Sequence, residues 1–444
     1  MKKAAVIAAL LLCVTGTALA AAASIKVVDD PAGLPLPFPR IARKGDLFVS
    51  GGQYAAVIAA TPRPLWSSIN YGHPDVAGQI AAFLPAGAAA RPETEFGYAS
   101  VRLGKKALVV STSSVRVEGA AAVVVRSSCA GPDGLRLDIL VRYTFALEAG
   151  RVDVSAEVRN AGKLEVKDLS FGLGANARQS YNFSPYNAKV FPSLNFRVYE
   201  RPDHALAWYN PNPVETSEKP LPGLLRPGQA YKVAYALLAG AELSGLLDRL
   251  YRLARVPTVL AGVELKGAAG PAEVIVREPA TGAVFYRTFL DKPAPLAFPL
   301  PVGTYAVRAN IFPAVVDKTV QAVGGPKANS WTLEAPVLGR VRVSIADRRG
   351  RHVPGKVTFI GLAPTPSPYF APVDPIETGR SWESLHNTVY PAKDGLEVEL
   401  PAGTYLATTS RGPEHSRETA VVEVLAGENR ALAFTIDRVL ETPG

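Results

Sequence analysis

The sequence predicts an all-β protein: a large N-terminal β-sandwich, then two small β-sandwiches, with one linking α-helix. Three observations predict it. Apolar residues recur at every second position through much of the first half. A six-residue motif returns 100 positions later in the second half. The 38 Gly and 38 Pro among 444 residues favour many turns over long helices. Hydrophobic residues make up 48% of the chain, enough for several buried cores. At about 150 residues per domain the length allows roughly three.

Residues 1–20 read as a secretory signal peptide. Lys2 and Lys3 precede the apolar run 4–14, which is too short for a membrane span, and Ala18-Leu19-Ala20 offers the small residues of a cleavage site. The mature chain is expected to be exported, to the periplasm or beyond, after cleavage near Ala20. A lipid anchor on Cys13 is disfavoured by Leu12, where that pathway wants a small side chain. No other run approaches the roughly 18 apolar residues of a transmembrane helix, so no membrane anchor is expected. Cleavage takes two positive charges from the formal +9 and leaves Cys129 alone, so no intrachain disulfide can form. The densest basic cluster, Arg340, Arg342, Arg348, Arg349 and Arg351, has no interleaved aromatics. Nucleic acid is therefore not an expected partner.

The large sandwich is expected over 23–240. Leu135, Leu137, Ile139, Val141, Tyr143 and Phe145 alternate, and after Glu148-Ala149-Gly150 the alternation resumes at Val152, Val154, Ala156 and Val158. That pattern is an antiparallel hairpin with one buried face. Val123–Val125 and Ala107–Val110 are further strand candidates. Over 241–256 the rule changes: Leu243, Leu246, Leu247, Leu250 and Leu253 recur at three- and four-residue spacing, the apolar face of one helix, which Pro257 is expected to stop.

Two small sandwiches are expected over 257–335 and 336–440. Leu300-Pro301-Val302-Gly303-Thr304-Tyr305 returns as Leu400-Pro401-Ala402-Gly403-Thr404-Tyr405, and Leu296 matches Leu396. In each copy a strand ends at Pro, turns through Gly and restarts at Tyr. Val274–Arg277 and Val341–Ile345 are expected to open the two copies, and strands around Trp331-Thr332-Leu333 and Leu432-Ala433-Phe434 to close them. Pro364, Pro366, Pro368, Pro372 and Pro375 mark a loop insert in the second copy.

No catalytic constellation is found. The five histidines, His73, His204, His352, His386 and His415, are too scattered for a metal motif, and no metal or cofactor is expected. Gly172–Ala177 loosely mimics a dinucleotide loop, but no helix pattern follows it. There is no Gly-x-Ser-x-Gly elbow. Cys129 reads as a small buried hydrophobe. The richest region is 181–209, with eight aromatics in 29 residues. Tyr181, Tyr186, Trp208 and Tyr209, with Arg178 and Asn182, are candidates for a ligand site. Aromatic faces can stack on a sugar ring while amides bond its hydroxyls. A packed sandwich edge is the competing reading of the same residues.

The Leu-Pro-x-Gly-Thr-Tyr repeats resemble the carboxypeptidase-regulatory-like, or transthyretin-like, β-sandwich. A second resemblance lies toward the C-terminal end. Asn387–Tyr390, Asp394-Gly395, Leu400–Tyr405, Ser410–Ser416 and Asp437–Gly444 occur in the order seen ahead of the catalytic domain of secreted PHP-type metallohydrolases of the CehA/McbA kind. The 220 N-terminal residues are similar to the galactose-mutarotase-like sandwich of such proteins. The resemblance implies an exported accessory region that scaffolds, binds substrate or docks a hydrolase. The family's metal ligands would lie beyond Gly444, so the catalytic domain is expected to be absent and the chain not to be an enzyme. It also implies that Arg411, Glu414 and His415, just before that joint, form part of a docking surface for a PHP-type hydrolase domain. A free-standing carbohydrate- or cell-surface-binding protein and a mutarotase-like enzyme are the alternatives.

Overall fold

The computed structural model describes residues 23–440 apart from 62–76, 86–87, 89–93, 132–133, 178–179, 202, 212–223, 326–328, 371–383 and 393–394. The expected signal peptide, His73, Arg178, Pro372 and Pro375 lie outside the described residues. The chain is all-β with several sandwiched sheets and, among the described residues, one α-helix, and it forms two compact units. No helix among the described residues is long and apolar enough to cross a membrane.

The first unit holds the residues up to Ala175 together with Pro220–Ala239. One sheet runs Ser24–Val27, Leu47–Gly51, Tyr54–Ile58, Ile80–Pro85, Thr94–Leu103, Leu169–Ala177 in spatial order. The other places Arg151–Asn160 between Ala230–Gly240 and Arg136–Ala146, followed by Ala122–Ala130 and Val110–Glu118. The predicted hairpin is present: Val152 faces Phe145, Val154 faces Tyr143, and both rows are buried. Gly150 closes the turn at φ 58, a conformation that costs a residue without Cβ little. Gly78 sets how closely backbone meets the second sheet. A Cβ there would lie 2.3 Å from Val125 Cγ1, and the Gly78 carbonyl accepts the Tyr143 hydroxyl at 2.9 Å. The stretch 107–110, read as one strand, is interrupted: Lys106–Ala107 pairs as one short strand and Val110–Glu118 begins another.

The second unit holds Asn176–Lys219 and the chain from Gly240 onward. Residues 176–219 were expected within the large sandwich but group with this unit. Tyr181 stacks on Phe289 at 5.7 Å, and Phe196 meets the Tyr251 ring edge-on at 5.7 Å. The helix, Leu243–Leu253, buries Leu243, Leu246, Leu247, Leu250 and Tyr251. Its stop differs from the expected proline. Arg255 takes φ 56, its N–H reaches the Arg252 carbonyl, and the Val256 N–H reaches that of Tyr251. This Schellman turn ends the helix before Pro257 is reached.

Each small sandwich is built alike. In the first, Thr258–Lys266 lies between Leu296–Pro301 and a parallel partner, Asn329–Glu334. Facing it is a four-stranded sheet in the order Val284–Leu290, Ala272–Arg277, Gly303–Ile311, Ala314–Ala322. In the second, Leu338–Ala346 lies between Leu396–Pro401 and Asn429–Thr435, facing a sheet that includes Lys356–Gly361, Gly403–Ser410 and Glu418–Val424. The opening strand of the first copy is thus Thr258–Lys266, the counterpart of Leu338–Ala346. Val274–Arg277 belongs to the strand after it.

The repeated hexapeptide is the corner where the chain leaves one sheet for the other. Pro301 ends a strand of the first sheet and Gly303 starts one of the second. The tyrosine two residues later fixes the corner: Tyr305 donates its hydroxyl to the Pro301 carbonyl at 2.9 Å, and Tyr405 to that of Pro401 at 2.8 Å. Both rings are buried. Burial raises both phenols, Tyr405 to about 12, so each remains a donor at ordinary pH. Tyr305→Phe and Tyr405→Phe keep the ring and remove the bond. Each is expected to lower stability by about 1–3 kcal/mol, seen as a lower urea midpoint; unchanged midpoints for both would show that the corner bond does not hold the sandwiches.

Candidate functional site

Strand alternation sends Val274, Val276, Val307 and Ala309 of the first small sandwich into its core. The intervening residues face the other way, and register places them side by side. Ile275 is opposite both Arg287 and Arg308, Arg308 is opposite Asp317, and Glu273 is opposite Asn310. This outward face is one wall of a cavity of about 810 Å³. The facing wall comes from the Pro-rich insert, with Pro364, Pro366, Pro368 and Tyr369, and from His386 and Asn387. Asn182 reaches the cavity from the 181–183 strand.

The insert is tied down on both sides. Thr365 Oγ1 accepts the Thr404 N–H at 3.0 Å, and Gly361 N–H reaches Ser367 Oγ at 3.1 Å. A Cβ on Gly403 would lie 2.5 Å from Thr365, so that crossing requires glycine. Farther along, the Tyr369 N–H donates to the Pro313 carbonyl at 2.8 Å, which fastens the second repeat to the first. Rings continue the contact: Tyr181, Phe289, Phe312, Tyr369 and His386 each meet the next at 5.6–6.2 Å. His386 sits at φ 52, in the sparsely populated left-handed region, and its carbonyl accepts the Phe370 N–H. Asn387 is held by donation to the Phe359 carbonyl at 2.9 Å.

Glu273 anchors the wall. Its residue is 1% exposed. Arg287 Nε donates to Oε1 at 2.7 Å and Asn310 Nδ2 to Oε2 at 2.7 Å. Losing one partner of such a buried pair costs about 3–5 kcal/mol, because the other charge is stranded. The Arg287 guanidinium also lies 5.0 Å above the Tyr181 ring. Arg308 grips Asp317 through two bonds, both 2.8 Å. Partial burial, then the Glu273 charge, pushes the Tyr369 phenol up, so it is a neutral donor.

The sequence candidates are distributed unevenly. Asn182 lines the cavity. Tyr181 is buried beneath Arg287, Tyr209 is buried, and Tyr186 and Trp208 are half-buried. Tyr181 and Tyr209 therefore do not offer open faces; packing within the unit has used them. Arg411, Glu414 and His415 lie in the loop after Gly403–Ser410. Arg411 is exposed, whereas Glu414 pairs with Arg438 at 3.2 Å. Glu273, Arg287, Arg308, Asn310, Asp317, Tyr369 and Asn387 escaped sequence reasoning. The available signal was the alternation of polar Arg308 and Asn310 with apolar Val307, Ala309 and Ile311.

Other reactive groups are sequestered. Cys129 is buried and its thiol is pushed up to about 11 by burial and then by Asp138, which leaves it protonated. His204 bonds Asp203 Oδ1 through Nδ1 at 2.8 Å and is 2% exposed. The Asp203 carboxyl is held low, chiefly by that bond. No group of three or more metal-ligating side chains occurs among the described residues.

No protein-family model matches the chain, and no curated protein sequence does. Several solved structures share parts of its shape. The Bacillus anthracis TIE protein is 13% identical over 74% of this chain and 58% of its own, with a TM-score of 0.17. The GH36 α-galactosidase AgaB of Geobacillus stearothermophilus is 9% identical over 48% of this chain and 43% of its own, with a TM-score of 0.30. A galactose mutarotase related enzyme from Lactobacillus acidophilus is 10% identical over 45% of this chain and 100% of its own, with a TM-score of 0.23. This chain thus spans 58% and 43% of the first two. At these scores the likenesses carry no argument about activity.

Glu200 gives the unit a pH response. Burial raises its carboxyl to about 8, against the opposing effects of the Thr288 hydroxyl, the Arg287 charge and the Phe289 N–H. A folded-state value above the unfolded one means that the unfolded chain releases this proton first. Its stabilising contribution is full below about pH 4.5 and is lost as pH climbs toward 8. Glu200→Gln is expected to flatten the fall in urea midpoint between pH 5 and 8; a variant whose midpoint follows the parent's pH curve would show that Glu200 is already ionised in the fold.

Proposed function

We propose that this protein is an exported, non-catalytic binding protein whose cavity in the second unit holds a carbohydrate. One observation carries the proposal: a wall of oriented planar polar side chains faces an aromatic ring across about 810 Å³. The amides of Asn182, Asn310 and Asn387 and the paired charges supply hydrogen-bonding groups for hydroxyls. Tyr369 supplies a surface for the C–H face of a sugar ring. The partners described above fix most of these groups before a ligand arrives, which reduces the ordering cost of binding.

The proposal assigns no catalysis to the cavity. Glu273 and Asp317 are each tied to an arginine, an arrangement suited to binding more than to proton transfer. The resemblance of 387–444 to the region ahead of a PHP-type hydrolase makes this an accessory role, with hydrolysis supplied by another domain or chain. Of the proposed docking trio, Glu414 alone has an intramolecular ion pair among the described residues, to Arg438.

Calorimetric titration of the secreted chain with neutral oligosaccharides is expected to give binding that Tyr369→Ala and Asn182→Ala each weaken by about 10-fold. Trp208→Ala is expected to change it little. Binding lost through Trp208→Ala alone, or no binding to any glycan tested, would overturn the assignment.

A further inference from the structure

The charges around the cavity do not cancel. Its walls carry the carboxylates Glu273 and Asp317, the guanidiniums Arg277, Arg287 and Arg308, and the imidazole His386. Arg287 is bound to Glu273 and Arg308 to Asp317. Arg277 has no ion pair or side-chain hydrogen bond among the described residues. Its neighbours in the sheet explain this: Arg277 is opposite Val284 on one side and Ala306 on the other, and neither side chain accepts a proton.

Backbone geometry contributes to its placement. The pairing of Ala272–Arg277 with Val284–Leu290 shifts register between Val276 and Arg277. Such an irregularity re-aims the side chain that follows it. Arg277 is half-buried and lines the cavity. A guanidinium withdrawn partly from water, with its donors unspent, favours a planar anion that can accept two parallel bonds. The surrounding amides and the Tyr369 ring remain suited to a sugar.

We infer that the ligand is an acidic carbohydrate, whose uronate carboxylate pairs with Arg277 while its ring and hydroxyls occupy the space between Tyr369 and the Asn310 and Asn387 amides. This rests on the carbohydrate reading above and adds the charge of the ligand. The carboxylate completes the only guanidinium on the described cavity wall that lacks an internal counter-charge.

The test compares a galacturonate trisaccharide with the matching neutral galactose trisaccharide by calorimetry at low and high salt. The acidic sugar is expected to bind about 10-fold more tightly at low salt, with the margin shrinking as salt rises. Arg277→Gln is expected to bring the acidic-to-neutral ratio close to one, and Arg277→Lys to keep part of it. An unchanged urea midpoint in these variants establishes that they fold. Equal affinity for both sugars in the parent chain, or a preference that survives Arg277→Gln, overturns this inference and leaves carbohydrate binding standing. A sulfated neutral trisaccharide that outcompetes the uronate also overturns it. Failure of all three sugars to bind rejects the carbohydrate reading itself.

Discussion

A carboxylate held away from water has to find its partners within the protein, and Glu273 finds a counter-charge on one flanking strand and an amide donor on the other. Arg287 approaches from one side and Asn310 from the other, so one buried group fixes the lateral order of three strands on the cavity wall. Arg287 is thereby held over the Tyr181 ring, which brings the 181–183 strand and Asn182 to the rim. An apolar residue at 273 would pack as well, but it would not orient an arginine and an amide. The polar group here specifies arrangement more than it adds stability, in keeping with the large desolvation cost of a buried charge.

The two repeats share a corner and a sheet plan but play different parts. The first presents the polar face. The second contributes the insert, which crosses Gly403 and fastens to the Pro313 carbonyl. Prolines suit that task because they limit the conformational freedom lost when a loop is held in place. The run of rings from Tyr181 to His386 lies along the same path. Of the aromatic residues that sequence alone would offer to a ligand, Tyr181 is therefore spent on joining these elements.

Local periodicity made much of the fold legible. The 135–158 hairpin, the apolar face of Leu243–Leu253 and the duplicated hexapeptide each depend on neighbours a few residues apart. Where a non-local partner decided the outcome, sequence reasoning fell short. Leu-Pro-x-Gly-Thr-Tyr looks the same whether the chain turns back within a sheet or passes to the facing one; the bond from Tyr305 to Pro301 marks the second case. The helix ended on a left-handed Arg255, a conformation that side-chain identity did not advertise. The cavity was hidden for a related reason. Arg308 and Asn310 alternate with apolar residues as on any solvent-facing strand, and nothing near them in sequence reveals the insert that lies over that face.

The central claim is the location of the ligand, and a crystal structure of the chain grown with a saturating acidic oligosaccharide tests it most directly. The account predicts density for one sugar residue beside the Tyr369 ring, with its hydroxyls bonded to the amides of Asn310 and Asn387. Density stacked instead on Trp208, with an empty cavity between the sandwiches of the second unit, would contradict it.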